Sequence, residues 1–207
     1  GLGDVYKRQA LYLIVQNSSI EEKNEMWMQL ARIDGYLDML LRFIKLASDS
    51  TDFVFQSYNI QELVREVVKS QSIVFIKKKL SIELNDLDEN IVTDKMWLGF
   101  IIDQVLSNAL KYTNEGGVVV SLKSTTSEKI LSIADSGIGI RASDISRIFE
   151  DGFTGYNGRT SSKSSGIGLY LCRKIADKLG YRLSAESKLG EGTKINIHIP
   201  YSNVRYE

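Results

Sequence analysis

Two short glycine strings carry most of the chemistry available to this 207-residue chain, Asp135-Ser136-Gly137-Ile138-Gly139-Ile140 and Ser165-Gly166-Ile167-Gly168-Leu169. Glycine lets backbone pass close to a ligand that a β-carbon would block, and each string opens a helical-looking segment whose free N–H groups can face phosphate. Asp135 adds a carboxylate directly after the apolar run Ile130 to Ala134. Upstream, the segment Gln104 to Tyr112 sets an amide, Asn108, three residues before a cation, Lys111, and so on one face of an apolar-periodic helix. Downstream, Gly190-Glu191-Gly192-Thr193 leads into a strand. A carboxylate that can accept from a base amine, an amide suited to a hard cation, a cation for phosphate and close backbone together describe a site for an adenine nucleotide.

The order of four elements, asparagine helix, D-x-G-x-G-I, G-x-G-L and G-x-G-T, resembles the ATP-binding domain of sensor histidine kinases, which shares its fold with gyrase, a heat-shock chaperone and mismatch-repair ATPases. The likeness covers about residues 55 to 200. It implies ATP and Mg²⁺ as cofactors, with Asn108 as the magnesium ligand and Lys111 neutralising phosphate. Tyr112 would pack beside the base, Asp135 would take the adenine amine, and the Thr193 hydroxyl would join it directly or through water. Gly137, Gly139 and Ile140 would line the base, and Gly166, Ile167, Gly168 and Leu169 the phosphates. Phe149 and Phe153 resemble the family's phenylalanine box, which couples a lid to the body of the domain. Glycines and a serine-rich tail between Ile148 and Ser164 predict that lid, with Arg159 or Lys163 within reach of the γ-phosphate. The wording Gly152-Phe153-Thr154-Gly155-x-Asn157-Gly158-Arg159 resembles kinases that sense peptide antibiotics in Gram-positive bacteria and work beside ABC transporters.

In the gyrase-like relatives a glutamate one helical turn before the magnesium asparagine activates water. Here that position is Gln104, which cannot take a proton, and Asp103 is rotated about 100° from that face. Phosphoryl transfer to a separate nucleophile needs mainly positioning and charge neutralisation, so a kinase is expected, with a binding module without turnover and a self-contained ATPase as alternatives. The acceptor histidine of the resemblance would precede Ala10, so autophosphorylation of this chain alone is not expected and the catalytic set is Asn108 and Lys111. His198, the single histidine, alternates with Ile197 and Ile199 and reads as a surface strand residue.

Charge is balanced, 26 basic against 26 acidic residues, so net charge indicates no nucleic acid partner. The single cysteine, Cys172, excludes an internal disulfide and reads as a packed residue. No apolar run reaches the roughly 18 residues of a membrane span, so a soluble piece is expected; the resemblance implies the cytoplasmic portion of a plasma-membrane protein. Residues 1–9 fit no periodic pattern and read as a foreign leader, and 202–207 as a tail. Met26, Leu30, Ile33, Leu37, Leu40 and Ile44 follow an a/d spacing, which predicts part of a dimerising helical hairpin over 10–50 and hence a homodimer. A response regulator is the implied downstream partner. The catalytic domain over 53–201 should be α+β, a two-layer α/β sandwich (the Bergerat fold). Its expected strands are 53–56, 80–84, 118–123, 130–134, 182–187 and 194–199, with helices over 60–75 and 95–112.

Overall fold

The computed structural model describes residues 53–155 and 166–201, together with Ser19, Leu37, Leu41 and Ile44. The chain forms two compact units, Gly1–Thr51 and Asp52–Glu207. In the first, Leu37, Leu41 and Ile44 are helical and exposed. The hairpin, the leader, the tail and the lid residues Arg159 and Lys163 otherwise lie outside the described residues.

The second unit runs β1 (Gln56–Asn59), α1 (Ile60–Ser70), α2 (Ser72–Lys78), β2 (Ser81–Asn85), β3 (Asn90–Thr93), α3 (Lys95–Tyr112), β4 (Gly117–Ser124), β5 (Glu128–Asp135), α4 (Ala142–Ile145), α5 (Gly168–Leu179), β6 (Arg182–Lys188) and β7 (Gly192–Pro200). A five-stranded sheet has the order β2-β4-β5-β7-β6, and β1 pairs with β3 in a small antiparallel ribbon. Only β2 and β4 run parallel; the remaining pairs of the large sheet are antiparallel. This is the two-layer α/β arrangement expected.

Alternation decides which face of the sheet is covered. Val118, Val120 and Leu122 of β4, Leu131 and Ile133 of β5, and Ile195, Ile197 and Ile199 of β7 are buried on one face. Against them lie α3, which buries Trp97, Leu98, Ile101, Ile102, Val105 and Leu106, and α5, which buries Leu171, Cys172, Ile175 and Leu179. The N-terminus of α3 is fixed by Asp94, whose Oδ1 accepts from the amides of Met96 (2.9 Å) and Trp97 (3.1 Å). Such a cap contributes about 1 kcal/mol and sets where the asparagine helix begins.

Several boundaries differ from expectation, each for a local reason. The first strand begins at Gln56 rather than Phe53, and β3 was not expected because its four residues are too few to show a period. The helix expected over 60–75 breaks at Gln71, whose amide bonds the Val67 and Val68 carbonyls and closes α1 before α2 starts. His198 does lie on the face opposite Ile197, yet it is only 8% exposed and is not a surface residue. Its Nε2 is 2.9 Å from Ser184 Oγ, and its Nδ1 is 2.9 Å from both Glu128 Oε1 and Arg182 Nη2. Long polar neighbours on β5 and β6 cover the ring, which alternation alone does not reveal. Cys172 is fully buried, and burial pushes its thiol far above its ordinary value, as a packed residue requires.

Candidate nucleotide site

The antiparallel register of β5 and β7 sets Asp135 opposite Thr193, so two residues 58 apart in sequence meet at one end of the sheet. The Asp135 carboxylate accepts from the Gly137 amide at 2.8 Å and from the Thr193 amide at 3.2 Å, both through Oδ1. Oδ2 accepts nothing from the described residues and keeps its lone pairs for another donor. Partial burial raises the acid above its ordinary value of 3.8, and the two backbone donors pull the other way. Hydroxyl bookkeeping extends the site to Ser187. Its Oγ donates to the Gly192 carbonyl (2.7 Å) and accepts from the Ile140 amide (2.8 Å). With that proton used, the 3.0 Å contact between Ser187 and Thr193 has the threonine as donor. Thr193 Oγ1 therefore remains an acceptor beside Asp135.

The first glycine string is constrained by the protein's own backbone. A β-carbon at Gly137 would lie 2.5 Å from the Tyr112 carbonyl, 2.8 Å from Asp135 Oδ1 and 2.9 Å from Thr113 Oγ1. Gly139 has φ +69° and its β-carbon would fall 2.0 Å from the Lys188 carbonyl. The loop is thus pinned between the end of α3 and the β6–β7 turn, and the Ile138 amide donates to the Tyr112 carbonyl at 3.2 Å. Ile140 is half-buried beyond it. The helix that follows begins at Ala142, with no side-chain cap from Arg141, so Asp135 serves its loop and not that helix.

On α3, Asn108, Lys111 and Tyr112 are all half-buried, and the Lys111 ammonium lies 5.1 Å from the Tyr112 ring centroid. Helix α5 starts at Gly168 with Ile167 as its N-cap residue, no side-chain cap and no acid in its first turn. A β-carbon on Gly168 would meet Gln104 Oε1 at 2.8 Å, which places the Gln104 amide at the start of α5. Asp103 is turned elsewhere, its Oδ1 accepting from Gln71 Nε2 at 2.7 Å. Gly166, at φ +71°, approaches the Gly152 backbone, and Leu169 continues the helix. Phe149 and Phe153 are half-buried, with the Arg147 guanidinium 4.6 Å from the Phe153 ring centroid. Asp135, Gly137, Gly139, Thr193 and the Tyr112 end of α3 are thereby brought together, and Asn108 and Lys111 share that helix. Ser187 was missed by sequence reasoning. Its signal was slight, a strand serine three residues before Gly190.

The arrangement matches a known family model. Residues 93–203 fit the model described as histidine kinase-, DNA gyrase B-, and HSP90-like ATPase. The chain belongs to this family. Over 192 residues it is 33% identical to the sensor protein kinase GraS of Staphylococcus aureus (strain MRSA252), covering 92% of this chain and 56% of that protein. The chain thus spans little more than half the length of such relatives. Among solved structures, full-length ShkA in complex with AMPPNP aligns at TM-score 0.71 and 22% identity, over 91% of this chain and 40% of that one. The histidine kinase ThkA in complex with the response regulator protein TrrA aligns at TM-score 0.71 and 21% identity, over 99% and 57% respectively. These two likenesses establish the shared fold. The described sheet and helices form the ATP-binding catalytic domain of the histidine-kinase type.

Proposed function

We propose that this chain binds Mg-ATP at the Asp135 loop and, within its full-length protein, passes the γ-phosphoryl group to a histidine and then to a response regulator aspartate. One observation carries the reading: Asp135 is held by two backbone amides through one oxygen, and its other oxygen is left to accept from the ligand. An exocyclic amine is the donor that such an acceptor selects. Adenine presents one at that edge, whereas guanine presents a carbonyl. The family match and the AMPPNP-bound relative support the same choice of nucleotide.

The donor set suits magnesium shared with phosphates. By the family resemblance Asn108, an amide oxygen on α3, would be the protein ligand, with phosphate oxygens supplying the rest. Bound there, Mg²⁺ would neutralise charge developing on the phosphoryl oxygens. Lys111 adds a cation on the same helix, and the N-terminus of α5 at Gly168 would turn its positive end to the phosphate chain. The acceptor imidazole nitrogen attacks Pγ, the bond from Pγ to the β,γ-bridging oxygen breaks, and ADP leaves with that electron pair. Water is a poor competitor because Gln104 has no basic carboxylate and Asp103 is engaged by Gln71.

The predicted hairpin would supply a homodimer, and a response regulator is the downstream partner, as in the ThkA complex. The chain would be the cytoplasmic portion of a membrane-anchored kinase working beside an ABC transporter in the peptide-antibiotic response; no described helix is long and apolar enough to cross a membrane. Calorimetry with Mg-ATP and Mg-GTP tests the nucleotide, with binding expected for ATP alone and lost in Asp135→Ala. Labelled ATP mixed with a histidine-bearing hairpin of the same family tests the transfer. Label is expected on the hairpin, and steady phosphate release without any label transfer would instead favour the self-contained ATPase.

A further inference from the structure

The C-terminal end of α3 shows a feature that the nucleotide reading does not use. A helix leaves its last four carbonyls without intrahelical partners, and here all four have an acceptor role that can be traced. The Ala109 carbonyl accepts from the Thr113 amide at 3.0 Å, and the Tyr112 carbonyl from the Ile138 amide at 3.2 Å. The Leu110 and Lys111 carbonyls both face one group, the Lys78 ammonium, at 2.5 and 3.5 Å. The same ammonium donates to the Thr113 carbonyl at 2.7 Å. Lys78 is the last residue of α2, so the cap of the asparagine helix comes from another element, 32 to 35 residues earlier in the chain. It sets a full positive charge on the negative end of the α3 dipole.

We infer that Lys78 is a positioning residue for nucleotide binding, holding the last turn of α3, with Asn108 and Lys111, against the Asp135 loop. The inference rests on the nucleotide site proposed above. Its geometry is specific. The Lys78 ammonium holds the carbonyls of Leu110, Lys111 and Thr113, and the Ile138 amide of the glycine loop holds the Tyr112 carbonyl that lies between them in sequence. Removing the charge frees the turn that presents Lys111 to the phosphates. Asp135, held by its own amides and by β7, stays in place. Loss should therefore fall mainly on the triphosphate, and on the base only through Tyr112, which belongs to the freed turn.

The test is calorimetry on the whole chain with Mg-ATP and, separately, adenosine, for wild type, Lys78→Met and Lys78→Arg, with thermal melts alongside. Lys78→Met should weaken Mg-ATP by about tenfold or more and adenosine by no more than about twofold, and Lys78→Arg should recover most of the loss. Unchanged Mg-ATP affinity in Lys78→Met, or equal loss for both ligands, overturns the assignment. Should the Met variant melt below the assay temperature, Lys78→Gln replaces it: weaker Mg-ATP binding than Lys78→Arg supports the role of the charge, and equal binding overturns it. Failure of the wild type to bind Mg-ATP overturns the nucleotide site together with this assignment, whereas tight wild-type binding with an indifferent Lys78 overturns this assignment alone.

Discussion

The two glycine strings look alike as letters and behave differently as structure. In the first, the amides of Ser136, Gly137, Ile138 and Ile140 donate to Gly117, Asp135, Tyr112 and Ser187 respectively, and the glycines are needed because protein backbone presses against them. In the second, Gly166 at φ +71° is pressed by the Gly152 backbone in the same way, and only Gly168, where α5 begins without a side-chain cap, has a yielding neighbour, the tip of a flexible glutamine. The Asp135 loop is fixed by its own hydrogen bonds, whereas α5 begins at Gly168 with no side-chain cap. This division suits an enzyme that must hold adenine in one pose and still release ADP after each transfer.

The largest effect that separates the two strings is on affinity. Asp135→Ala should weaken Mg-ATP by about a hundredfold, because it removes a charged acceptor from a partly buried base site. Retained ATP binding in that variant, measured by calorimetry, would break the comparison at its centre. Next comes Gly139→Ala, where φ +69° and a 2.0 Å approach to the Lys188 carbonyl leave no room. Its cost should be about 2 kcal/mol in urea unfolding.

Asp135 also predicts a pH dependence of stability. Its folded pKa is raised, so the native state binds more protons than the unfolded state, and stability falls as pH rises from 3.8 through the folded value. Asp135→Asn keeps an oxygen for the Gly137 and Thr193 amides and should remove that fall, melting at or above the wild type at neutral pH while failing to bind ATP. A difference in melting temperature between wild type and Asp135→Asn that stayed constant through this window would contradict the burial of the acid. In the wild type, ATP binding should weaken as pH drops toward the raised pKa, because the protonated carboxyl loses its accepting strength. The smallest effect is expected for Gly168→Ala, within about 0.5 kcal/mol in stability since alanine suits a helix and Gln104 can move. Its affinity for Mg-ATP should still fall several-fold. Equal stability losses at Gly139 and Gly168 would erase the distinction between the two strings.

Much of this was legible before any coordinates. Helix α3 shows its period over 18 residues and both of its limits in sequence, and the strands carrying Val118, Leu131 and Ile197 alternate cleanly. What escaped was short or reciprocal. Strand β3 has four residues, too few for a period, and the break at Gln71 has neither glycine nor proline to mark it. His198 was placed on the correct face, but its burial depends on Glu128, Arg182 and Ser184, contributed by two other strands. Lys78 sits in a run of three lysines, Lys77 to Lys79, that looks like a solvated face until the fold brings α3 to it.

Residue type and local spacing by themselves determined the family's motifs, the apolar faces and the position of a carboxylate at the end of β5. Those properties depend on neighbours within a few turns of chain, so they are written in order along it. Which oxygen of Asp135 stays available, why Gly137 and Gly139 admit no side chain, and which ammonium closes the asparagine helix were decided only by the tertiary structure. Each of these brings together groups distant in sequence, such as Lys78 with Leu110, 32 residues apart, and Asp135 with Thr193, 58 apart, and hydrogen-bond capacity is allotted only when such groups meet.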